Sequence, residues 1–150
     1  IEECRKDFET IYRECWNRQT VPYHGIFEML NAITKLKLKL AVLSNKPHEF
    51  TVLNVDHFFH KWNFDMILGQ RDGVPKKPDP ASMLEICHKL KVSSKEFLYL
   101  GDTATDMKTA VAAGCYPVGV LWGFRSKNEL KDSGAQAIIK NPLDVLDLIT

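Results

Sequence analysis

Apolar residues recur at spacings of three and four from Ile1 through Cys4, Phe8, Ile11 and Cys15, the stripe of a helix with one buried face. Pro22 and Gly25 close that unit, and Ile26, Met29, Leu30, Ile33 and Leu36 start a second helical stripe. The period then switches. Leu-Lys-Leu-Ala-Val-Leu over 38–43 reads as a strand running into Ser44-Asn45, followed by a helix over 49–59 and a short apolar run over 65–69. Pro75, Pro78 and Pro80 forbid regular structure in the loop that follows. A helix over 81–90 is expected to bury Met83, Leu84, Cys87 and Leu90, and residues 97–100 form a compact buried strand that ends at Gly101-Asp102. The pattern next predicts a helix over 105–113 stopped by Gly114, a strand over 116–121, and a short last strand over 137–139.

Strands of four to six residues alternating with helices of about ten imply an α/β fold, a doubly wound parallel sheet covered on both faces. In such folds ligands bind beyond the carboxyl ends of the strands. The polar residues that stand out in this sequence fall at those ends.

Composition narrows the function classes. With 45% hydrophobic and 26% charged residues, the 150-residue chain is globular, and a net charge of +1 gives no field favouring nucleic acid or an anionic membrane. A small polar substrate fits better. Cys4, Cys15, Cys87 and Cys115 form no C-x-x-C pair and no metal-spaced set with histidine, so they read as reduced thiols of a cytoplasmic protein. No apolar run approaches membrane-spanning length, and the amino terminus is not a signal peptide. Ile1 begins in the middle of an amphipathic stripe, from which a preceding segment is expected.

Three places carry candidate chemistry. Ser44-Asn45-Lys46 directly follows a strand and offers a hydroxyl, an amide and backbone N–H groups; it suits an anion, and equally a bare helix N-cap. Lys77 lies among prolines that restrict its loop, as a fixed cation suited to a phosphate or carboxylate, or as a solvated lysine like Lys76. Leu100-Gly101-Asp102-Thr103-Ala104-Thr105-Asp106 runs from a buried strand into two acids four residues apart, so both carboxylates can face one cleft. Hard carboxylate oxygens at a strand end suit Mg²⁺, whereas plain helix capping needs one acid and not two. His24, His48, His57, His60 and His88 share no face and read as structural, Trp16 and Trp62 read as packing, and Trp122 and Arg125 either close over the site or belong to a structural loop.

The order Ser-Asn, Lys, Gly-Asp-x-x-x-Asp resembles the second, third and fourth motifs of the haloacid dehalogenase superfamily. The flanking text Pro22-Tyr23-His24-Gly25, Leu40 to Pro47, Lys77-Pro78-Asp79-Pro80, Ala112-Ala113-Gly114 and Trp122-Gly123-Phe124-Arg125 is similar to its phosphoglycolate phosphatase branch. The resemblance implies an α/β core over residues 21–150 and, over 1–20, the last helix of a helical cap. It implies that Ser44 and the Asn45 backbone hold phosphoryl oxygens, that Lys77 balances their charge, and that Asp102 binds Mg²⁺. Asp106 would act through a metal-bound water or by orienting Lys77, and the Thr103 hydroxyl could hold a metal water. The implied reaction is Mg²⁺-dependent hydrolysis of a small phosphorylated metabolite through an aspartyl-phosphate, by a monomer or homodimer without nucleic-acid or membrane partners. A sugar-phosphate mutase, a pyrophosphatase and a non-catalytic phosphate binder share the same motifs.

One part of the pattern is missing. Family members start with a strand ending in Asp-x-Asp-x-Thr, whose acids are the nucleophile and the acid–base. Here Asp7 lies mid-helix, Asp65 precedes its strand, and Asp72 has no second acid after it. Loss of that central strand would leave a gap in the sheet, so the chain by itself is expected not to turn over substrate. Lys37 stands where relatives often have Gly, a change expected to touch only a surface turn.

Overall fold

The structure is a computed structural model that describes residues 16, 17 and 19–149. The stripe over residues 1–15, and with it most of the expected cap remnant, lies outside the described residues. Helix α1 (Ile26–Lys35) starts after Gly25, whose φ of 85° is a left-handed turn, and buries Met29, Leu30 and Ile33. There follow β1 (Ala41–Pro47), α2 (His48–Phe59), β2 (Met66–Gln70) and α3 (Ala81–Leu90). The second half contains β3 (Leu98–Gly101), α4 (Ala104–Ala113), β4 (Tyr116–Val120), α5 (Lys127–Asp132) and β5 (Ala137–Ile139). A 3₁₀ turn precedes β3, and a longer one, Pro142–Leu148, ends the described chain. Among the described residues no helix is long and apolar enough to cross a membrane.

Among the described residues every strand pairing is parallel, but the strands form two sheets, β1-β2 and β3-β4-β5, with no hydrogen-bonded ladder joining them. Among the described residues β1 pairs only β2 and β3 pairs only β4, so there each keeps one edge without a strand partner. Side chains nonetheless bind the two sheets into one body. On one face Leu68, Met83, Ile86 and Cys87 pack with Tyr99, Ala110 and Ala113, and Ala41 and Leu43 join them. On the other, α1 packs with Val118, Val120, Ile139 and Val145, and Leu40, Leu98 and Leu100 join them. Alternate residues of β3 thus serve opposite cores, as the two-residue period of a strand requires.

The structure corrects three expectations. β1 begins at Ala41 and not at Leu38, because β2 starts opposite it at Met66 and the preceding backbone is held by Asp65, whose carboxylate accepts from Leu40 N at 2.8 Å. Ser44 and Asn45 lie inside β1: the ladder is regular from Ala41 to Leu43, is interrupted, and resumes at Pro47 opposite Gln70. Leu84 is 45% exposed, and Ile86 takes its place in the core. α5 and the last 3₁₀ turn have no apolar stripe long enough to reveal them. Their signals are the caps, Ser126 with Glu129 and Asn141 with Asp144.

Lys37 has a φ of 56°, the left-handed conformation that glycine adopts without strain. The departure at this position therefore affects backbone strain as well as a surface turn.

Candidate active site

Interruption of the β1 ladder decides what Ser44 and Asn45 can do. The Ser44 hydroxyl accepts from Lys46 N at 3.1 Å, so one of the backbone N–H groups expected to face a ligand is already partnered. The N-cap of α2 is Pro47 and makes no side-chain cap, which removes the plain capping explanation for Ser44. The Asn45 side chain turns to the proline-rich loop. Its Nδ2 donates to Lys77 O at 3.1 Å and its Oδ1 accepts from Lys77 N at 2.9 Å, a two-point clamp on the backbone of one residue. That clamp was not foreseen from sequence, where the Asn45 amide and backbone are read as facing an anion.

Lys77 is held from both ends. Its Nζ donates to Leu43 O at 3.1 Å and to Asp106 Oδ1 at 2.6 Å. Both side chains of this ion pair are 11% exposed, which removes the surface-lysine reading; the neighbouring Lys76 is exposed. Leu43 belongs to one sheet and Asp106 follows β3 of the other, so the ammonium bridges the two sheets at their carboxyl ends.

Thr103 is the N-cap of α4. Its hydroxyl accepts from Asp106 N at 3.2 Å and donates to Asp106 Oδ2 at 2.6 Å, a reciprocal cap. Asp106 is buried and both of its oxygens are engaged, Oδ1 by Lys77 and Oδ2 by Thr103. Asp102, one residue before the cap, is not needed by the helix. Its Oδ2 accepts from Phe124 N at 3.0 Å, across from the loop that leaves β4. Beneath Asp106, burial pushes the Tyr99 phenol well above its ordinary range, and the nearby carboxylate adds to the rise.

The loop after β4 is the part that sequence reasoning read least well. Trp122 packs into the core beside α1 and Arg125 pairs with Glu129 one turn along α5 at 3.6 Å, while Phe124, which drew no attention, supplies the contact to Asp102. The only local signal was a Gly-Phe pair just past a strand end. Of the histidines, His48 is structural, its Nδ1 accepting from Gly69 N at 3.1 Å. Burial raises the Cys87 thiol and pushes Cys115 up to about 12, so both are inert core groups; Cys4 and Cys15 lie outside the described residues.

A cavity of about 340 Å³ opens beside Ser44, lined also by Ile26, Leu30, Val42, Phe59 and Phe64. A wider groove of about 530 Å³ at Leu84, Cys87 and His88 shares no residue with these groups. Among the described residues no three His, Cys, Asp or Glu side chains gather as a metal cluster. Asp102 and Asp106 therefore differ in what they can offer a cation. Asp106 has both oxygens engaged, by Lys77 and Thr103, and Asp102 has one oxygen committed to Phe124. A magnesium ion that keeps most of its shell as water and phosphate oxygen fits one carboxylate of this kind.

Comparison with known proteins agrees with this arrangement. Residues 1–120 match the family model for haloacid dehalogenase-like hydrolases. The phosphoglycolate phosphatase of Pectobacterium atrosepticum is 28% identical over 149 residues, covering 99% of this chain and 64% of the relative. That of Salmonella typhimurium is 30% identical over 120 residues, which is 80% of this chain and 48% of the relative. The chain thus spans less than two thirds of the length of these relatives. A crystal structure from Lactobacillus delbrueckii subsp. bulgaricus, provisionally assigned as a phosphoglycolate phosphatase, superposes with a TM-score of 0.88 at 32% identity, over 95% of this chain and 59% of its own. The family match over most of the chain and the parallel α/β core place this chain in the haloacid dehalogenase-like hydrolase family.

Proposed function

We propose that the protein hydrolyses a small phosphomonoester of the phosphoglycolate type, through an aspartyl-phosphate whose carboxylate is carried on a strand seated between β1 and β3. One observation carries the reading: Lys77 bridges two sheets that, among the described residues, have no strand between them, through Leu43 next to Ser44 and through Asp106 in the same turn as Asp102. An acid at the tip of an inserted parallel strand would arrive beside that ammonium. Both open edges would gain ladder partners, and the strand's apolar side chains would meet both cores, one of which already has a cavity at Val42 and Leu30.

The roles then follow from charge and reach. Phosphoryl transfer gains most of its rate from positioning and from stabilising charge on the equatorial oxygens. The Ser44 hydroxyl and the neighbouring backbone bind one phosphoryl oxygen, and Lys77 neutralises the phosphate and the attacking carboxylate. Asn45 fixes the Lys77 backbone, and Asp106 fixes its ammonium while Thr103 fixes Asp106. Asp102 would hold Mg²⁺, with the Thr103 hydroxyl within reach of a water of its shell; when bound, the ion supplies charge neutralisation to the transferring phosphoryl group. With Asp106 doubly engaged and Asp102 facing the metal, the nucleophile comes from outside the described residues. The helix read over residues 1–20 would belong to a cap over this mouth.

The test is hydrolysis of p-nitrophenyl phosphate and of phosphoglycolate, with and without Mg²⁺, by this chain and by a longer one that includes an upstream Asp-x-Asp strand. Activity confined to the longer chain, dependent on Mg²⁺ and lost in Asp102→Asn, is expected. Inactivity of both would leave a phosphate binder in place of an enzyme.

A further inference from the structure

Asp102 is the acid that the helix cap does not use, yet its side chain is closely constrained. The constraint comes from Gly123 and Phe124 in the loop after β4. A Cβ added at Gly123 would lie 2.6 Å from Asp102 Cγ, and closer still to its Cβ and Oδ2, so the carboxylate rests directly against the glycine backbone. Gly123 is not in the left-handed region; the glycines that are, Gly25, Gly73, Gly114 and Gly134, lie elsewhere. Backbone conformation therefore does not demand glycine at this position, and space for Asp102 does. The next residue donates its N–H to Asp102 Oδ2 at 3.0 Å. The Phe124 side chain is 83% exposed, so burial of its ring does not hold the loop there.

The same arrangement recurs one strand away. A Cβ at Gly101, the last residue of β3, would lie 2.8 Å from Asp106 Cγ and 3.1 Å from its Oδ2, again with no left-handed φ to explain the glycine. Each acid of the pair thus lies on a glycine at a strand's carboxyl end.

We infer that Gly123 and the Phe124 N–H form a buttress that holds Oδ2 of Asp102 and turns its other oxygen toward the cation, making both positioning residues for the metal. The inference rests on the proposed function in taking Asp102 as a metal ligand. Its physical content is orientation. A carboxylate free to rotate offers either oxygen, or both together; one tied by a backbone N–H and pressed against a glycine offers a single oxygen along one direction, which suits the strict octahedral shell of Mg²⁺. A methyl group at 123 would push Asp102 away from the N–H and swing the free oxygen off that direction.

The test is Mn²⁺ binding, followed by electron paramagnetic resonance of the free ion, to the full-length protein and to Gly123→Ala, Asp102→Asn and the double variant. Gly123→Ala is expected to weaken Mn²⁺ roughly ten- to hundredfold, the usual effect of disturbing a group that orients a ligand. In the Asp102→Asn background it should have almost no further effect, because the group it acts through is already disabled. A structural role would instead lower stability in both backgrounds without this non-additivity. Where Gly123→Ala gives no folded protein, Phe124→Pro, which deletes the N–H, replaces it in the same cycle. Mn²⁺ affinity within twofold of the parent for Gly123→Ala, or equal losses in both backgrounds, overturns the buttress while leaving Asp102 a ligand. Undiminished binding by Asp102→Asn overturns the metal assignment and the buttress with it.

Discussion

Replacing Lys77 by Met keeps most of the side chain's apolar length and removes only its charge and its donors. In the structure that ammonium pairs with Asp106 Oδ1 at 2.6 Å, and both side chains are 11% exposed. Removing one partner of a buried pair leaves the other charge without compensation, at a cost of about 3 to 5 kcal/mol. The lower end applies, because the Thr103 hydroxyl still serves Asp106 Oδ2. About 3 kcal/mol corresponds to a fall in Tm of roughly 6 to 12 °C for a chain of this size. Asp106→Asn strands the Lys77 ammonium in turn, but Leu43 O and the amide oxygen still accept from it, so it should cost less, about 1 to 3 kcal/mol. The double variant has no stranded charge, and its loss should be smaller than the sum by about 2 kcal/mol. Thermal unfolding of the four proteins followed by circular dichroism measures the cycle. Losses that add to within about 0.5 kcal/mol would show that the two groups do not feel each other, and would remove Lys77 as the bridge between the sheets.

Two further outcomes concern stability away from the site. Lys37→Gly relieves a left-handed lysine at φ 56° and should raise stability by about 0.5 to 1 kcal/mol, the steric gain being partly offset by the flexibility of glycine in the unfolded chain. A urea midpoint that falls on this substitution would contradict it. Arg71 holds the Glu85 carboxyl below its ordinary value of 4.5 through hydrogen bonds of 3.0 and 2.5 Å, against a smaller opposing effect of burial. A carboxyl lowered on folding contributes stability that is full above its unfolded pKa and is lost as pH falls through the folded value. The gap in Tm between the parent and Glu85→Gln should therefore be largest near neutrality and close as pH is lowered past 4.5, and a gap independent of pH would refute the pairing.

Local signals along the chain account for most of the elements. Residues 81–90 were read as a helix with the ends it has, since its apolar period and the Pro80 before it are both properties of neighbours in sequence. The acid pair was legible for the same reason: Asp102, Thr103 and Asp106 lie within one strand end and one helical turn. β1 was misplaced because Leu-Lys-Leu alternation is a strand pattern wherever it occurs, and whether a strand forms depends on a partner 25 residues further on. The exposed Leu84 shows the same limit, since a helical stripe says which face is apolar but not how wide a neighbour will cover it.

The candidate site divides along the same line. Residue types and their order along the chain were enough to point to the family. What each residue touches was not readable, because the partners come from distant parts of the chain: Asn45 and Lys77 are 32 residues apart, Lys77 and Asp106 29, and Asp102 and Phe124 22. Hydrogen bonds act over about 3 Å and within a narrow angle, whereas periodicity specifies only which face of an element a side chain occupies. Convergence of the strand ends is needed to bring such groups within bonding distance. Only then did Asn45 become the clamp of Lys77, Asp106 the shared partner of Lys77 and Thr103, and Gly123 the surface on which Asp102 lies.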